Sequence, residues 1–211
     1  YNRVMASGDR VIAISHFIAE LIQLRYGTPA ERIRTIHRGA DLNVFNPELV
    51  SADRVERVRE QWSVSADERV VLLPARLTRW KGQELLLRAF ARIQEEGFSR
   101  DCVLVFAGGG VKEAPFLKEL ESLRARLGID PLRVRFPCHN DAMAAALKLA
   151  TIVVSAALEP EAFGRTVAEA GAMGTPSIAP SHGGAPEILV QDQTGWLVPP
   201  GDVDALAASL A

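Results

Sequence analysis

Cysteine is almost missing from this chain: two residues in 211, Cys102 inside an apolar run and Cys138 ahead of a polar turn. Two such residues make no disulfide framework, so both are expected as reduced thiols in a reducing, cytoplasmic setting. Excess charge is missing too. A formal net charge of -2 and a pI near 6.1 provide no field to hold a polyanion, and no local basic patch replaces it, which excludes nucleic acid as a partner. No apolar run approaches the length of a bilayer span. His139 and His182 have no companion His, Cys or Asp at metal-ligand spacing, so they are expected as ordinary loop histidines and no metal centre is expected. The opening "YNRVMASGDR" has neither an initiator Met nor a charged-then-apolar signal pattern. The closing "GDVDALAASLA" starts a helix at Asp202 without a Gly or Lys-rich finish. The chain is therefore expected to be a piece of a longer protein.

What is present is a globular composition, 48% hydrophobic, enough for one large domain or one domain and a piece of another. "RVIAIS" reads as a short strand, and Ser15 is placed to cap a helix whose apolar positions run to Tyr26-Gly27. "RIRTIH" reads as a second strand. "RGADLNVFNPE" follows with little periodicity and the composition of a linker, which sets the domain boundary: residues 1–46 end one domain and its linker, and 47–211 form the next. After the charged helix "ADRVERVREQW", apolar strands alternate with helices: "RVVLLPA", "DCVLVFA", "LRVRFP", "TIVVSAA", "PSIAP" and "GWLVPP", with "APEILVQD" expected as the helix before the last. Continuous apolar strands separated by helix-length crossovers predict an α/β fold, a doubly wound parallel sheet covered on both faces. Phe116, Leu117, Leu120, Leu123 and Leu127 form one stripe on a helix and are expected in the core.

In such sheets ligands sit beyond the carboxyl ends of the strands, which directs attention to the loops "ARLTRWKG", "GGGVKEAP", "PCHND", "ALEPEAFG" and "PSHGGAPE". In "EPEAFGRTVAEA", Glu161 and Glu169 are eight residues apart with Gly164 between them, where the loop should become a helix. The two acids then flank a helix N-terminus rather than share a helical face. Unpaired amides around Phe163, Gly164 and Arg165 suit phosphate oxygens, and Gly164 lets a ligand approach the backbone. Two acids beside a phosphate site make sense for a ligand larger than phosphate: a diphosphate on the amides, with a ribose on one side and a sugar on the other. Arg76, after a buried strand, and Lys81 with Gly82, at the start of the next helix, supply the matching cations. Arg79 is expected to be a solvated loop residue.

These segments carry a resemblance. "ARLTRWKG" resembles the Gly-Arg-Leu...Lys-Gly segment of the retaining glycosyltransferases of family 4. "EPEAFGRTVAEAGAMGTPSIAPSHGGAPEILVQDQTGWLVPPGD" is similar to their E-x7-E segment with its trailing motifs. "DRVIAISHFIAE" and "IRTIHRGADLNVFNP" are similar to the end of the acceptor domain and its linker. The resemblance covers essentially the whole chain. It implies the C-terminal, nucleotide-sugar-binding half of a GT-B enzyme, with Arg76 and Lys81 neutralising the donor diphosphate and the departing nucleotide, and the amides of Phe163, Gly164 and Arg165 adding to them. It also implies that Glu169 accepts from the ribose hydroxyls and Glu161 from those of the transferred sugar, with the nucleobase near the turn of Cys138 and His139. Ala75 stands where the family usually has Gly, Cys138 where it usually has another Gly, and Ser155-Ala156 where Pro-Ser is common.

The resulting expectation is the donor half of a metal-independent hexosyltransferase without a cofactor, its substrate a nucleotide-sugar, inactive as an isolated piece. The acceptor, a glycan or glycolipid, would bind the missing domain, through which any contact with the inner face of the membrane would also run. "TRWKGQ", "EPEAFGR" and "HGGAPE" look most like bacterial enzymes of lipopolysaccharide or envelope glycan synthesis. A non-catalytic nucleotide-sugar-binding module and a GT-B-fold epimerase are the alternatives.

Overall fold

The computed structural model describes residues 2–95, 97, 101–109, 114–137 and 142–211. The first turn, α1 (Asn2–Met5), leads to β1 (Val11–Ala13), α2 (His16–Tyr26) and β2 (Ile33–Thr35). β1 and β2 pair in parallel as a two-stranded sheet. Ser15 caps α2, its hydroxyl accepting from the Ile18 amide at 3.1 Å, and Gly27 ends the helix in the left-handed conformation at φ 66°. Val11, Ala13, Ala19 and Ile33 form a small core of their own.

After the irregular segment and α3 (Ala52–Gln61) come β3 (Arg69–Pro74), α4 (Gln83–Glu95), β4 (Cys102–Ala107), α5 (Ala114–Arg126), β5 (Val134–Arg135) and α6 (Met143–Leu149). The rest is β6 (Ile152–Val154), α7 (Arg165–Ala172), β7 (Ser177–Pro180), β8 (Gly195–Val198) and α8 (Val203–Leu210). The six strands β3 to β8 are all parallel in the order β5-β4-β3-β6-β7-β8. This is the α/β doubly wound sheet that the strand pattern predicts. Apolar side chains alternate through the sheet into two cores. Leu73, Leu104 and Phe106 join α4, α5 and α8 on one face, while Leu72, Val103 and Val105 join α3 and α6 on the other. Leu120 and Leu123 of the predicted stripe are buried, with Phe116, Leu117 and Leu127 packed around them. Asp202 caps α8 through the Ala205 amide at 2.9 Å.

One predicted helix does not form. "APEILVQD" holds only a 3-10 turn, Ala185–Glu187, because the next amide in line, that of Val190, donates to the Thr194 hydroxyl at 2.9 Å and Asp192 turns the chain at φ 61°. The shortening leaves Glu187 on a compact turn instead of along a helix. Among the described residues, no helix is long and apolar enough to cross a membrane.

Candidate functional site

The strand order reverses between β3 and β6: the chain steps outward from β3 through β4 to β5, then returns to β6 and proceeds the other way. At that switch point the loops leaving the two strands diverge, and a crevice opens at their carboxyl ends. Leu73, Pro74 and Ala75 line it from one strand, Val154, Ser155 and Ala156 from the other, and Lys81, Glu161 and Thr166 close its mouth.

Backbone contacts force the two loops together. Gly82, at φ +73°, lies so close to the second loop that a Cβ there would sit 1.8 Å from the Ala156 carbonyl oxygen. The Leu158 amide donates to the Trp80 carbonyl at 2.7 Å. The loop after β7 then presses on the other side: Gly184 donates from its amide to the Glu161 carbonyl at 2.9 Å, and a Cβ on Gly183 would fall 2.4 Å from that same oxygen. The paired glycines of "HGGAPE" thus seat the acidic loop. His182, expected as an ordinary loop histidine, contacts the Ala157 carbonyl through Nε2 at 3.0 Å.

Held this way, Lys81 Nζ lies 2.8 Å from Glu161 Oε1, both side chains mostly withdrawn from solvent (18% and 25% exposed). The ammonium also sits 4.2 Å from the centre of the Trp80 ring, a cation–π contact. The pair plugs the crevice, which retains about 10 Å³, room for no more than a water. Larger hollows lie elsewhere, such as the one of about 460 Å³ over Arg79, Glu84, Lys118 and Glu119, but there Arg79 is committed to Glu84 and Glu119. Arg79, expected as solvated, is exposed yet paired, donating to both Glu119 oxygens at 2.9 and 2.6 Å.

Gly164 caps α7 in the left-handed conformation at φ 94°. Among the described residues the amides of Gly164, Arg165 and Thr166 have no acceptor, as the first turn of a helix dictates. The amide of Phe163 likewise has no acceptor among the described residues, while its ring is buried. Glu169 lies one turn into α7, largely buried, and accepts from Arg165 Nε and Nη2 at 3.2 and 3.1 Å. Arg76 is exposed and its side chain has no partner among the described residues. Its carbonyl accepts from Nε2 of the fully buried Gln83 at 2.9 Å, which fixes the start of the loop. The candidates Arg76, Lys81, Glu161, Gly164, Arg165 and Glu169 therefore share one edge of the sheet. Cys138 and His139, the expected nucleobase turn, lie outside the described residues.

Sequence reasoning missed the contact between the two sheets. Glu187 Oε2 and Oε1 accept from the amides of His16 (2.7 Å) and Phe17 (2.9 Å) at the start of α2, and His37 Nε2 approaches Oε2 at 2.7 Å. Burial pushes this carboxyl up, but the two amides and His37 outweigh it and hold it below its ordinary value. Alongside, the Ser15 hydroxyl donates to the Ala162 carbonyl at 2.6 Å, inside the acidic motif. Separations of 147 to 171 residues carry no periodic signal.

Comparison with known proteins agrees with this architecture. The sequence model of the family described as Glycosyl transferases group 1 matches residues 54–211, and that of Glycosyltransferase Family 4 matches residues 1–44. A D-inositol 3-phosphate glycosyltransferase of Catenulispora acidiphila is 32% identical over 201 residues, covering 93% of this chain and 47% of the relative. A GDP-mannose-dependent alpha-(1-6)-phosphatidylinositol monomannoside mannosyltransferase of Mycolicibacterium smegmatis is 29% identical, covering 99% of this chain and 54% of the relative. The chain spans about half the length of these curated relatives. Among solved structures, Anabaena HepE in complex with UDP superposes with a TM-score of 0.85 at 29% identity, covering 96% of this chain and 53% of that one. The doubly wound sheet is that of the C-terminal domain of GT-B glycosyltransferases, and the chain belongs to the glycosyl transferases group 1 family.

Proposed function

We propose that residues 47–211 are the donor-binding domain, and residues 1–46 the end of the acceptor domain with its linker, of a retaining, metal-independent glycosyltransferase that moves a sugar from a nucleotide-sugar to an envelope glycan or glycolipid. The observation that carries this reading is the Lys81–Glu161 pair at the switch point, beside the open amides of α7. A cation, an anion and unpaired N–H donors at one crevice match a sugar diphosphate, which offers phosphate oxygens and hydroxyls a few ångströms apart.

The donor separates the pair. Lys81 moves from Glu161 to a phosphate oxygen, Arg76 joins it, and the amides of Phe163, Gly164 and Arg165 bind the same diphosphate. Freed, Glu161 accepts from the hydroxyls of the transferred sugar, and Glu169 from the ribose. As the glycosidic bond breaks, negative charge grows on the departing nucleoside diphosphate, and Arg76, Lys81 and the α7 N-terminus stabilise it there. The second carboxylate serves the ribose, so the acids do not act as a glycosidase pair. The base packs at the turn of Cys138 and His139. HepE has been crystallised with UDP and with UDP-glucose, and the mycobacterial relative is named for GDP-mannose, which makes UDP- and GDP-sugars the first donors to test. Both curated relatives are named for inositol-containing acceptors, consistent with a polyol or glycolipid acceptor. Lipopolysaccharide synthesis is the narrower assignment suggested by the wording of the motifs.

The test is product analysis on the full-length protein with a panel of UDP-, GDP- and ADP-sugars and an inositol phosphate or lipid acceptor, with and without chelator. Transfer with the donor's anomeric configuration kept, unchanged by chelator, is expected. An inverted product or an epimerised donor would contradict the reading. The present chain alone is expected to bind donor without turnover.

A further inference from the structure

The contact between the two sheets brings together side chains of another chemistry. His16 opens α2, His37 follows β2, and Glu187 lies on the turn after β7. One ligand atom from each falls within 4.8 Å of the others. The imidazoles of His16 and His37 meet edge to face, centroids 5.1 Å apart at 68°. His37 Nε2 is 2.7 Å from Glu187 Oε2, whereas the His16 ring has no hydrogen-bond partner among the described residues.

We propose that His16, His37 and Glu187 form a binding site for a divalent transition-metal ion of the zinc type, in which the metal replaces the proton between His37 Nε2 and Glu187 Oε2. Two imidazoles and one carboxylate are a donor set that suits such ions, with the remaining position open to water. At metal–ligand distances of about 2.0–2.2 Å, tetrahedral ligand atoms stand roughly 3.3–3.5 Å apart. The 2.7 Å contact must therefore open slightly and the 4.8 Å spread must close. Both histidines are exposed, so their rings can turn without disturbing a core. Glu187 is already oriented, because the His16 and Phe17 amides grip its two oxygens, the kind of outer support that conditions metal affinity. A carboxylate–imidazole hydrogen bond explains His37 but leaves the His16 ring, edge to face with it, without a hydrogen-bond partner among the described residues. The three ligands come from α2, the segment after β2 and the loop after β7, so the ion would staple the N-terminal segment to the six-stranded unit.

The test uses the intact chain stripped with chelator. Calorimetry with Zn2+ and visible absorption with Co2+ are expected to show one bound ion per chain. His16→Ala and His37→Ala should each weaken Zn2+ binding by at least about tenfold, since loss of an outer-shell partner alone costs that much, and the double variant should remove it. Circular dichroism of the metal-free variants should show the parent's folded spectrum and a cooperative melt, which separates loss of a ligand from loss of fold. Absence of stoichiometric binding, or a double variant that binds Zn2+ as tightly as the parent through other groups such as the cysteines, would overturn the proposal.

Discussion

Replacing Gly82 with alanine tests the architecture of the site at its narrowest point. Gly82 has φ +73°, and its added Cβ would lie 1.8 Å from the Ala156 carbonyl oxygen. Carbon and carbonyl oxygen approach to about 3.3 Å, so one loop must retreat by roughly 1.5 Å. Gly27 is the matched control, with φ +66° and nothing within 4 Å of an added Cβ. The left-handed conformation costs alanine about 1–2 kcal/mol at either position. Forcing volume into a packed contact adds about 1–3 kcal/mol at Gly82 alone. Chemical denaturation should therefore place Gly82→Ala below Gly27→Ala by about 1–3 kcal/mol. The retreat also displaces Lys81, now held 2.8 Å from Glu161, from the place where it would reach a phosphate oxygen. Losing that charge-assisted hydrogen bond to the ligand costs about 1.5–3 kcal/mol, so nucleoside diphosphate affinity should fall by roughly 10- to 100-fold in Gly82→Ala. Gly27→Ala should leave that affinity unchanged. Equal stability and equal affinity of the two variants would refute the idea that close loop contact builds the site.

Ser15→Ala removes both the α2 cap and the bond to the Ala162 carbonyl. It should cost about 1–2 kcal/mol by thermal or chemical melting, and a change within experimental error would show that neither bond matters. Gln83→Glu puts an ionisable carboxyl in a fully buried position whose side chain now donates to the Arg76 carbonyl. A loss of about 3 kcal/mol or more is expected at neutral pH, easing as the pH falls and the group is protonated. Full stability at pH 7 would count against the burial of Gln83. Burial raises the Cys102 thiol above its ordinary value of 9.0, so in a Cys138→Ser background at pH 8 a thiol reagent should label the native chain far more slowly than the denatured chain. Equal rates would show the thiol to be open.

Most of the fold was legible because the strands of a parallel sheet hide both faces: "RVVLLPA", "DCVLVFA" and "TIVVSAA" have no polar alternation to confuse with an edge. The helix termini at Ser15, Gly27, Gly164 and Asp202 carry side-chain or glycine signals that the backbone obeys. The helix expected in "APEILVQD" failed because a side-chain hydroxyl, Thr194, took an amide the helix needed, a competition that local pattern does not register. At the site, glycine spacing and charge identified the loops, and chain order brought them to one sheet edge. The Lys81–Glu161 pairing was not legible, because two residues each suited to a ligand can also serve one another. The Glu187 contact with α2 was hidden for a different reason, its partners being 171 and 170 residues away in sequence.

The central claim is that a nucleoside diphosphate binds where Lys81, Glu161 and the α7 N-terminus converge, with Glu169 alongside. Calorimetric titration of UDP and GDP into the chain and its Lys81→Ala and Glu169→Ala variants tests it most directly. One of the two nucleotides should bind the parent, with each variant weaker by about tenfold or more, the effect of a lost charged hydrogen bond. Binding of undiminished affinity in both variants would contradict the account.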